Sequence, residues 1–394
     1  MVIQPVGTRI GHGAATISMM ACRDPGPAAL DSWDQLVDDT PGSDVTQLTA
    51  WARLRGRVGY TPLYLLAFRA QELVGGAQIL HRRVPVLGRV GYLPYGPIIS
   101  AAATDRHGIC RELAGGLATI VREQLRMLFI QPPEGADDLS RELLRRGFRP
   151  SSAGIAPAGS IRIDLTVTED EIRRRFARRL RSWPNKWAAR GVTVRLGDSQ
   201  DVTLLAALMA HSARHQEYQP LPVDYIEAMY SELAATGQAA LFVGEVRGEP
   251  VAADLVTGCG GMVRGRLAGF DRTGEAGRLS VPAAIRWEII RWAKASGYRW
   301  YDLGGLHEEA LRALLAGECQ HSDSWSSADQ AKAAFGGSAY RYPSAVEKIS
   351  PMPLRIAYDL SRQSAGGRRL VARATRRFRG SATHPPAVTE GASS

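Results

Sequence analysis

Apolar positions recur along this chain in two periods, and the switches between them set out its elements. Val45, Leu48, Trp51 and Leu54 fall at helical spacing after a Pro41-Gly42 turn, as do Trp33, Leu36 and Val37 before it. Two apolar runs, Tyr64 to Ala70 and Val74 to His81, flank Gln71-Glu72-Leu73 and predict a hairpin. A further strand and irregular turn follow in Val90–Pro97, where Pro94, Gly96 and Pro97 bend the backbone. Ile109, Leu113, Leu117, Ile120, Val121 and Leu125 share one face of a helix over 105–128, followed by a strand Met127–Gln131, a helix Leu139–Arg146 stopped by Gly147, and a strand Ile161–Leu165.

The same order then returns. Helices over Val202–Ala213 and Tyr225–Ala235 lead into a hairpin, Ala240–Val246 and Val251–Val256, turning at Arg247-Gly248-Glu249-Pro250. A strand Arg264–Gly269, a helix Val281–Ala295 stopped by Gly297, and a strand Arg299–Leu303 complete the copy. A recurrence roughly 175 residues apart predicts two similar α/β domains. The expected division is a flexible lead over 1–30, a first domain over 31–165, a second over 166–345, a basic helical extension over 346–380 and a disordered tail over 381–394.

Composition and charge narrow the class. With 394 residues and 45% hydrophobic content the chain can bury two cores of ordinary size. The net charge of +10 favours RNA, phosphorylated metabolites or an anionic membrane surface without choosing among them. No apolar run reaches the ~20 residues of a membrane helix. Cys22, Cys110, Cys259 and Cys319 lie far apart with no CxxC spacing, which points to a reduced, cytoplasmic setting rather than a disulfide framework or zinc module. His211 and His215 stand four apart on a helix but lack an acidic partner in the pattern that zinc hydrolases use, so no metal is expected.

Positive charge is concentrated in two stretches. Arg173, Arg174, Arg175, Arg178, Arg179, Arg181, Lys186, Arg190 and Arg195 fall together without one carboxylate, and predict either a polyanion contact or a solvated helix face interrupted at Pro184. Near the end, Arg355, Arg362, Arg368, Arg369, Arg373, Arg376, Arg377 and Arg379 are opposed by Asp359 alone and interleaved with apolar residues, a pattern for an amphipathic helix pair that meets RNA or touches a membrane surface.

The order of helix, helix, hairpin, strand, helix and strand, taken twice, resembles tandem GNAT-like acyltransferase domains with splayed mixed sheets. Short segments in the right order make the resemblance specific: Thr46-Gln47 with Trp51, Leu73-Val74-Gly75-Gly76, Tyr92-Leu93-Pro94-Tyr95-Gly96-Pro97, Ile163-Asp164-Leu165, Gly248-Glu249-Pro250-Val251-Ala252, Tyr301-Asp302-Leu303-Gly304-Gly305, and Lys332 through Phe335-Gly336-Gly337. Over roughly residues 45–345 the chain resembles the Fem family of aminoacyl-tRNA-dependent peptide bridge-forming transferases. That resemblance implies transfer of an amino acid from charged tRNA, the co-substrate, to an amine on a small molecule or peptide, with no separate cofactor and in a monomer. Two other classes stay open: a coenzyme A-dependent N-acyltransferase, disfavoured because Asp271–Arg278 misses the usual pyrophosphate loop, and a tandem domain that only binds RNA.

Attack of a neutral amine on an activated carbonyl chiefly requires orientation and stabilisation of the developing oxyanion. The resemblance puts Lys332 near the donor carbonyl, although Ala331 stands where the family commonly has an aromatic; the alternative is a surface lysine at a helix end. Asp302 either positions an amine or caps a turn. On the acceptor side the resemblance implies Trp51, Arg55, Tyr92, Tyr95, Gly96, Ser100 and Lys186, with Arg55 either holding a diphosphate or lying on a solvated helix face. Tyr95 replaces the family's Arg and Ser100 its Asp; with Pro184, these departures favour a peptide-like antibiotic intermediate over a muropeptide as acceptor. Contacts to tRNA are expected from Arg174, Arg178, Arg181, Arg214, Arg368 and Arg369, and the acceptor is expected in the first domain and the cleft between the two.

Overall fold

A computed structural model describes residues 16–216, 220–271, 275–318, 322–364 and 366–367. Of the described residues, those from 16 to 156 form one compact unit with those from Tyr342 to Gly367, and those within Pro157–Arg341 form another. The first unit contains, in order, β1 (Ile17–Cys22), α1 (Pro27–Asp39), α2 (Thr49–Gly56), β2 (Thr61–Arg69), β3 (Glu72–Val84), β4 (Gly88–Pro94), β5 (Ile98–Ile99), α3 (Arg106–Glu123), β6 (Met127–Gln131), α4 (Asp137–Arg145) and β7 (Arg149–Pro150). The second contains β8 (Gly159–Asp164), α5 (Glu169–Arg175), α6 (Arg178–Arg181), β9 (Val192–Gly197), α7 (Asp201–Gln216), α8 (Val223–Ala234), β10 (Ala239–Val246), β11 (Glu249–Cys259), β12 (Met262–Phe270), α9 (Glu275–Arg278), α10 (Val281–Ala295), β13 (Trp300–Gly305), α11 (Glu308–Ala316), α12 (Ser327–Ala333) and β14 (Ser338–Arg341). The chain then returns to the first unit with β15 (Val346–Ile349) and α13 (Met352–Gln363).

Both expected hairpins form. Each closes through a two-residue loop with positive φ where the strand twist demands it, at Ala70 in the first and at Arg247 and Gly248 in the second. Each sheet has one parallel pair flanked by antiparallel strands. In the first, ordered β1-β2-β3-β4-β6-β15-β7, β4 and β6 run parallel from Val90↔Met127 to Pro94↔Gln131. In the second, ordered β14-β8-β13-β12-β11-β10-β9, the parallel pairing of β12 with β13 covers only Met262–Arg264 against Trp300–Asp302. Beyond Arg264, β12 continues to Phe270 while β13 pairs on its other edge with β8, so the two strands part. This is the splayed sheet expected from the order of elements.

Helix α3 covers the first sheet through Ile109, Leu113, Leu117 and Ile120, packed on Leu63, Leu65, Ile79 and Leu128. Helix α10 covers the second through Ile285, Ile289 and Ile290, together with Phe176, Val263, Tyr301 and Phe335. Each such side chain contributes about 1.5–3 kcal/mol of burial.

Three expected boundaries move. Residues 17–22, placed in a flexible lead, are a strand with six registered partners from Tyr64 to Arg69, because alternate residues of Ile17–Cys22 can cover the first core. The strand over 161–165, placed in the first domain, is β8 and lies between β13 and β14 of the second sheet, which moves the division to 156/157. The expected extension over 346–380 starts as part of the first unit: β15 pairs with β6, and Glu347, fully buried on it, accepts from Arg355 of α13 at 2.9 Å. Helix α13 leaves Met352, Ile356 and Leu360 exposed. The tail over 381–394 lies outside the described residues.

Candidate functional site

Two features of the second unit bring charge to one end of its chain path: a pocket lined by arginines, and a buried set of ionic side chains around the parted strands.

The basic stretch from Arg173 to Arg195 is not one helix. A Thr168–Glu171 capping box starts α5, Phe176 ends it in extended backbone, α6 is a single turn, a 3-10 turn covers Ala188–Arg190, and Arg195 is already on β9. Ser182, Trp183 and Pro184 break the helical run, as the missing amide hydrogen of proline requires. The bend turns Arg174, Arg175, Arg178 and Arg181 around a cavity of about 580 Å³, closed on its far side by Gly336, Gly337 and Ser338. No carboxylate is among its lining residues. Gly336 has φ 65°, and a Cβ there would collide with the carbonyl oxygen of Arg175; at Gly337 one would come within 2.6 Å of the Arg162 carbonyl. The glycine pair therefore lets the stretch after α12 close on the arginine loop, and Ala177 N–H donates to the Ala334 carbonyl at 2.8 Å.

Of the expected tRNA contacts, Arg174, Arg178 and Arg181 are thus brought together, joined by Arg175. Arg214 lies on α7 and its side chain is not among those described, and Arg368 and Arg369 lie outside the described residues. Of the two histidines, His211 is on α7 and His215 has no described side chain; among the described residues no group of three or more potential metal ligands occurs.

Lys332 is not on the surface. It is 5% exposed on α12, and its Nζ donates to the Gly305 carbonyl at 2.5 Å. Burial, reinforced by the nearby Arg286, lowers its pKa to about 8 against the opposing pull of Asp329 and Asp302. An ammonium has three N–H donors, and Gly305 accounts for one.

Asp302, also buried, is a clasp between strands. It accepts from Ser160 Oγ on β8, Gly304 N–H at 2.8 Å, Tyr340 Oη on β14 at 2.8 Å and Arg264 Nε on β12 at 3.2 Å. With its oxygens committed to four partners it holds the parted strands and their loop in place, and the amine-positioning role expected of it has no oxygen assigned to it here. Asp254, on β11, is the charged group that sequence reasoning passed over. Burial raises its carboxyl to about 6, partly offset by Arg286. Its signal was a lone carboxylate inside the apolar run Val251–Val256.

Of the acceptor residues expected in the first unit, Arg55 and Tyr92 meet with Tyr60 in an aromatic floor. Arg55 is 1% exposed, with its guanidinium 4.4 Å from the Tyr60 ring centre and 5.8 Å from that of Tyr92, which corrects the solvated-face alternative. Trp51 is buried on the same helix. Tyr95 has φ 52°, precedes a cis peptide at Gly96-Pro97 and packs its ring 5.1 Å from Tyr342; Ser100 is tied to Val74 through its backbone. Lys186 belongs to the second unit, where Nζ donates to Ser182 Oγ at 3.1 Å.

An acetyltransferase (GNAT) domain model matches residues 156–312. The lipid II:glycine glycyltransferase of Staphylococcus aureus (strain MRSA252) is 26% identical over 221 residues, which is 53% of this chain and 52% of that protein, so the chain spans about half the length of the curated relatives it matches. Among solved structures, FemX superposes with a TM-score of 0.72 at 17% identity, covering 83% of this chain and 98% of that one. The C-terminal domain (DUF2156) of a putative lysylphosphatidylglycerol synthetase from Agrobacterium fabrum follows with a TM-score of 0.52 at 13% identity, covering 86% and 98%. These structural likenesses establish the tandem GNAT fold. The chain thus carries a GNAT domain over residues 156–312 and is similar in sequence, over about half its length, to lipid II:glycine glycyltransferases.

Proposed function

We propose that the protein is an aminoacyltransferase that takes an amino acid from aminoacyl-tRNA and joins it to an amine of a peptidoglycan precursor. The observation that carries this function is the pairing, within one unit, of a buried lysine with an arginine-lined cavity free of carboxylates among its lining residues. A charged tRNA end brings phosphates and an ester; the arginines suit the first and an ammonium suits the oxyanion that forms from the second. Lys332 supplies that ammonium, held by Gly305. Asp302 keeps the loop that carries Gly305 in place, and Trp51, Arg55, Tyr92 and Tyr95 serve the acceptor side. The similarity to lipid II:glycine glycyltransferases favours a muropeptide acceptor over the antibiotic intermediate to which Tyr95, Ser100 and Pro184 pointed. The exposed apolar stripe of α13, beside its arginines, suits contact with the membrane that such a precursor occupies.

The test is transfer of radiolabelled amino acids from a mixture of charged tRNAs to a lysine-containing muropeptide. Product that disappears after RNase pretreatment is expected. Product that survives RNase and requires acetyl-coenzyme A overturns the tRNA assignment.

A further inference from the structure

The loop after β13 contains a second reactive arrangement, two residues beyond the carbonyl that holds Lys332. His307 stands at the N-cap of α11, and its Nδ1 lies 2.5 Å from Asp329 Oδ2. Asp329 is 1% exposed, whereas the imidazole is 42% exposed at its side chain. The carboxylate is itself fixed: Ser326 Oγ donates to Oδ2 at 2.9 Å, and the Asp329 N–H donates back to Ser326 Oγ at 3.1 Å. The His307 N–H points to the other oxygen at 3.4 Å. A buried carboxylate on Nδ1 selects the Nδ1–H tautomer, orients the ring and leaves the Nε2 lone pair outward. Capping α11 requires none of this, since the cap makes no side-chain hydrogen bond to the helix.

We propose that His307 is the general base of the transfer reaction and that Asp329 is its positioning residue. The proposal rests on the acyl-transfer function above. Asp329 and Lys332 lie one turn apart on α12, so a single short helix carries both the residue that orients the base and the cation proposed for the oxyanion. The acceptor ammonium loses one proton to solvent and reacts as the neutral amine. Its nitrogen forms the C–N bond to the ester carbonyl while Lys332 holds the oxyanion, and His307 Nε2 takes the second proton from that nitrogen. As the C–O bond breaks, the imidazolium gives this proton to the departing ribose oxygen. Nothing is oxidised or reduced: of the two protons the nitrogen loses, one goes to solvent and one passes through His307 to the ribose oxygen.

Other charged groups around the imidazole already have partners. Glu308 pairs with Arg341 at 2.8 Å and with Arg312 at 3.5 Å, Glu309 accepts from Ser324 Oγ at 2.8 Å, Asp302 pairs with Arg264, and Lys332 is held on Gly305. This leaves Asp329 as the carboxylate bonded to the ring.

The experiment measures kcat against pH for wild type, His307→Gln, His307→Ala and Asp329→Asn. The donor is whichever of mixed charged tRNAs or acetyl-coenzyme A supports wild-type turnover with the muropeptide amine. Wild type should lose activity on the acid side, as a reaction that needs a general base does. His307→Gln should fall about 10²–10⁴-fold and lose that limb. His307→Ala should regain part of the rate with added imidazole, and Asp329→Asn should fall less, with the limb displaced. A donor that proves to be acetyl-coenzyme A overturns the tRNA assignment and leaves this test intact. Wild type inactive with both donors overturns the function and the base together. Variants that keep the wild-type limb, or a His307→Ala rate that imidazole does not raise, reduce His307 to a loop residue; thermal unfolding of each variant separates that outcome from misfolding.

Discussion

The two parallel strand pairs occupy the same place in their sheets and end in opposite chemistry. In the first unit the pair β4–β6 ends at Pro94 and Gln131, and the side chains that tie this end are neutral glutamines, the buried ion pair of Glu347 with Arg355 lying on the other edge of β6. Gln47 Nε2 donates to the Pro94 carbonyl at 2.8 Å, Gln78 N–H donates to Gln47 Oε1 at 3.0 Å, Gln78 Nε2 donates to the Leu48 carbonyl at 2.9 Å, and Gln131 Nε2 donates to that of Pro343 at 2.8 Å. In the second unit the pair β12–β13 ends at Arg264 and Asp302, an ion pair, with Arg286 close enough to bear on the titration of both Asp254 and Lys332. A satisfied amide network fixes a backbone at little electrostatic cost. Buried charges carry a desolvation penalty that apolar packing would avoid, so a buried ionic set marks where charge has a use beyond the fold. The difference supports placing the proposed bond-forming chemistry in the second unit.

The comparison can be broken by substitutions on either side. Asp302→Ala leaves Arg264 buried without its carboxylate and should destabilise by about 3–5 kcal/mol, seen as a lower denaturant midpoint; a loss below about 1 kcal/mol would show that the ion pair is dispensable to the fold. Lys332→Met keeps volume and removes charge. Because the folded lysine deprotonates near 8 rather than 10.5, the unfolded chain holds more protons on it between those values, and the stability of wild type relative to the Met variant should climb by about 3 kcal/mol as pH rises through that window. The Met variant should show no such climb, and parallel curves would place the titration elsewhere. Gln78→Leu, in the neutral network, should cost about 1–3 kcal/mol with the same loss at pH 6 and pH 9. A pH-dependent loss would mean that the first unit is not neutral in the relevant sense. Smallest in stability is the joint reversal Arg174→Glu with Arg178→Glu, within about 0.5 kcal/mol, while the salt dependence of tRNA binding flattens. Unchanged salt dependence would return these arginines to solvated surface.

Periodicity reveals elements better than it reveals partners. The helix Val281–Ala295 and the strand Met127–Gln131 have the bounds their patterns predict, because each is a single uninterrupted apolar face. Strand β8 was legible as a strand but not as a member of the second sheet, since Ile161 and Ile163 would suit either core. Four residues make β15, too few for a period to register. The arginine run showed its break at Pro184 but hid the one at Phe176: Ile172, Phe176, Leu180 and Trp187 turn inward at spacings of four and seven that suit one helix, yet Phe176 is in extended backbone. Lys332 was found through its motif, but its burial was not, because the carbonyl that receives it lies 27 residues earlier. His307 and Asp329 are 22 residues apart, and only the fold joins them.

The most direct test of the charged centre is the alkaline side of turnover. If the Lys332 ammonium holds the oxyanion, wild-type kcat should fall as pH rises through about 8, where that ammonium is lost. Lys332→Arg, which stays charged, should retain whatever activity it has across the same range. Identical alkaline limbs in the two proteins would remove Lys332 from the reaction.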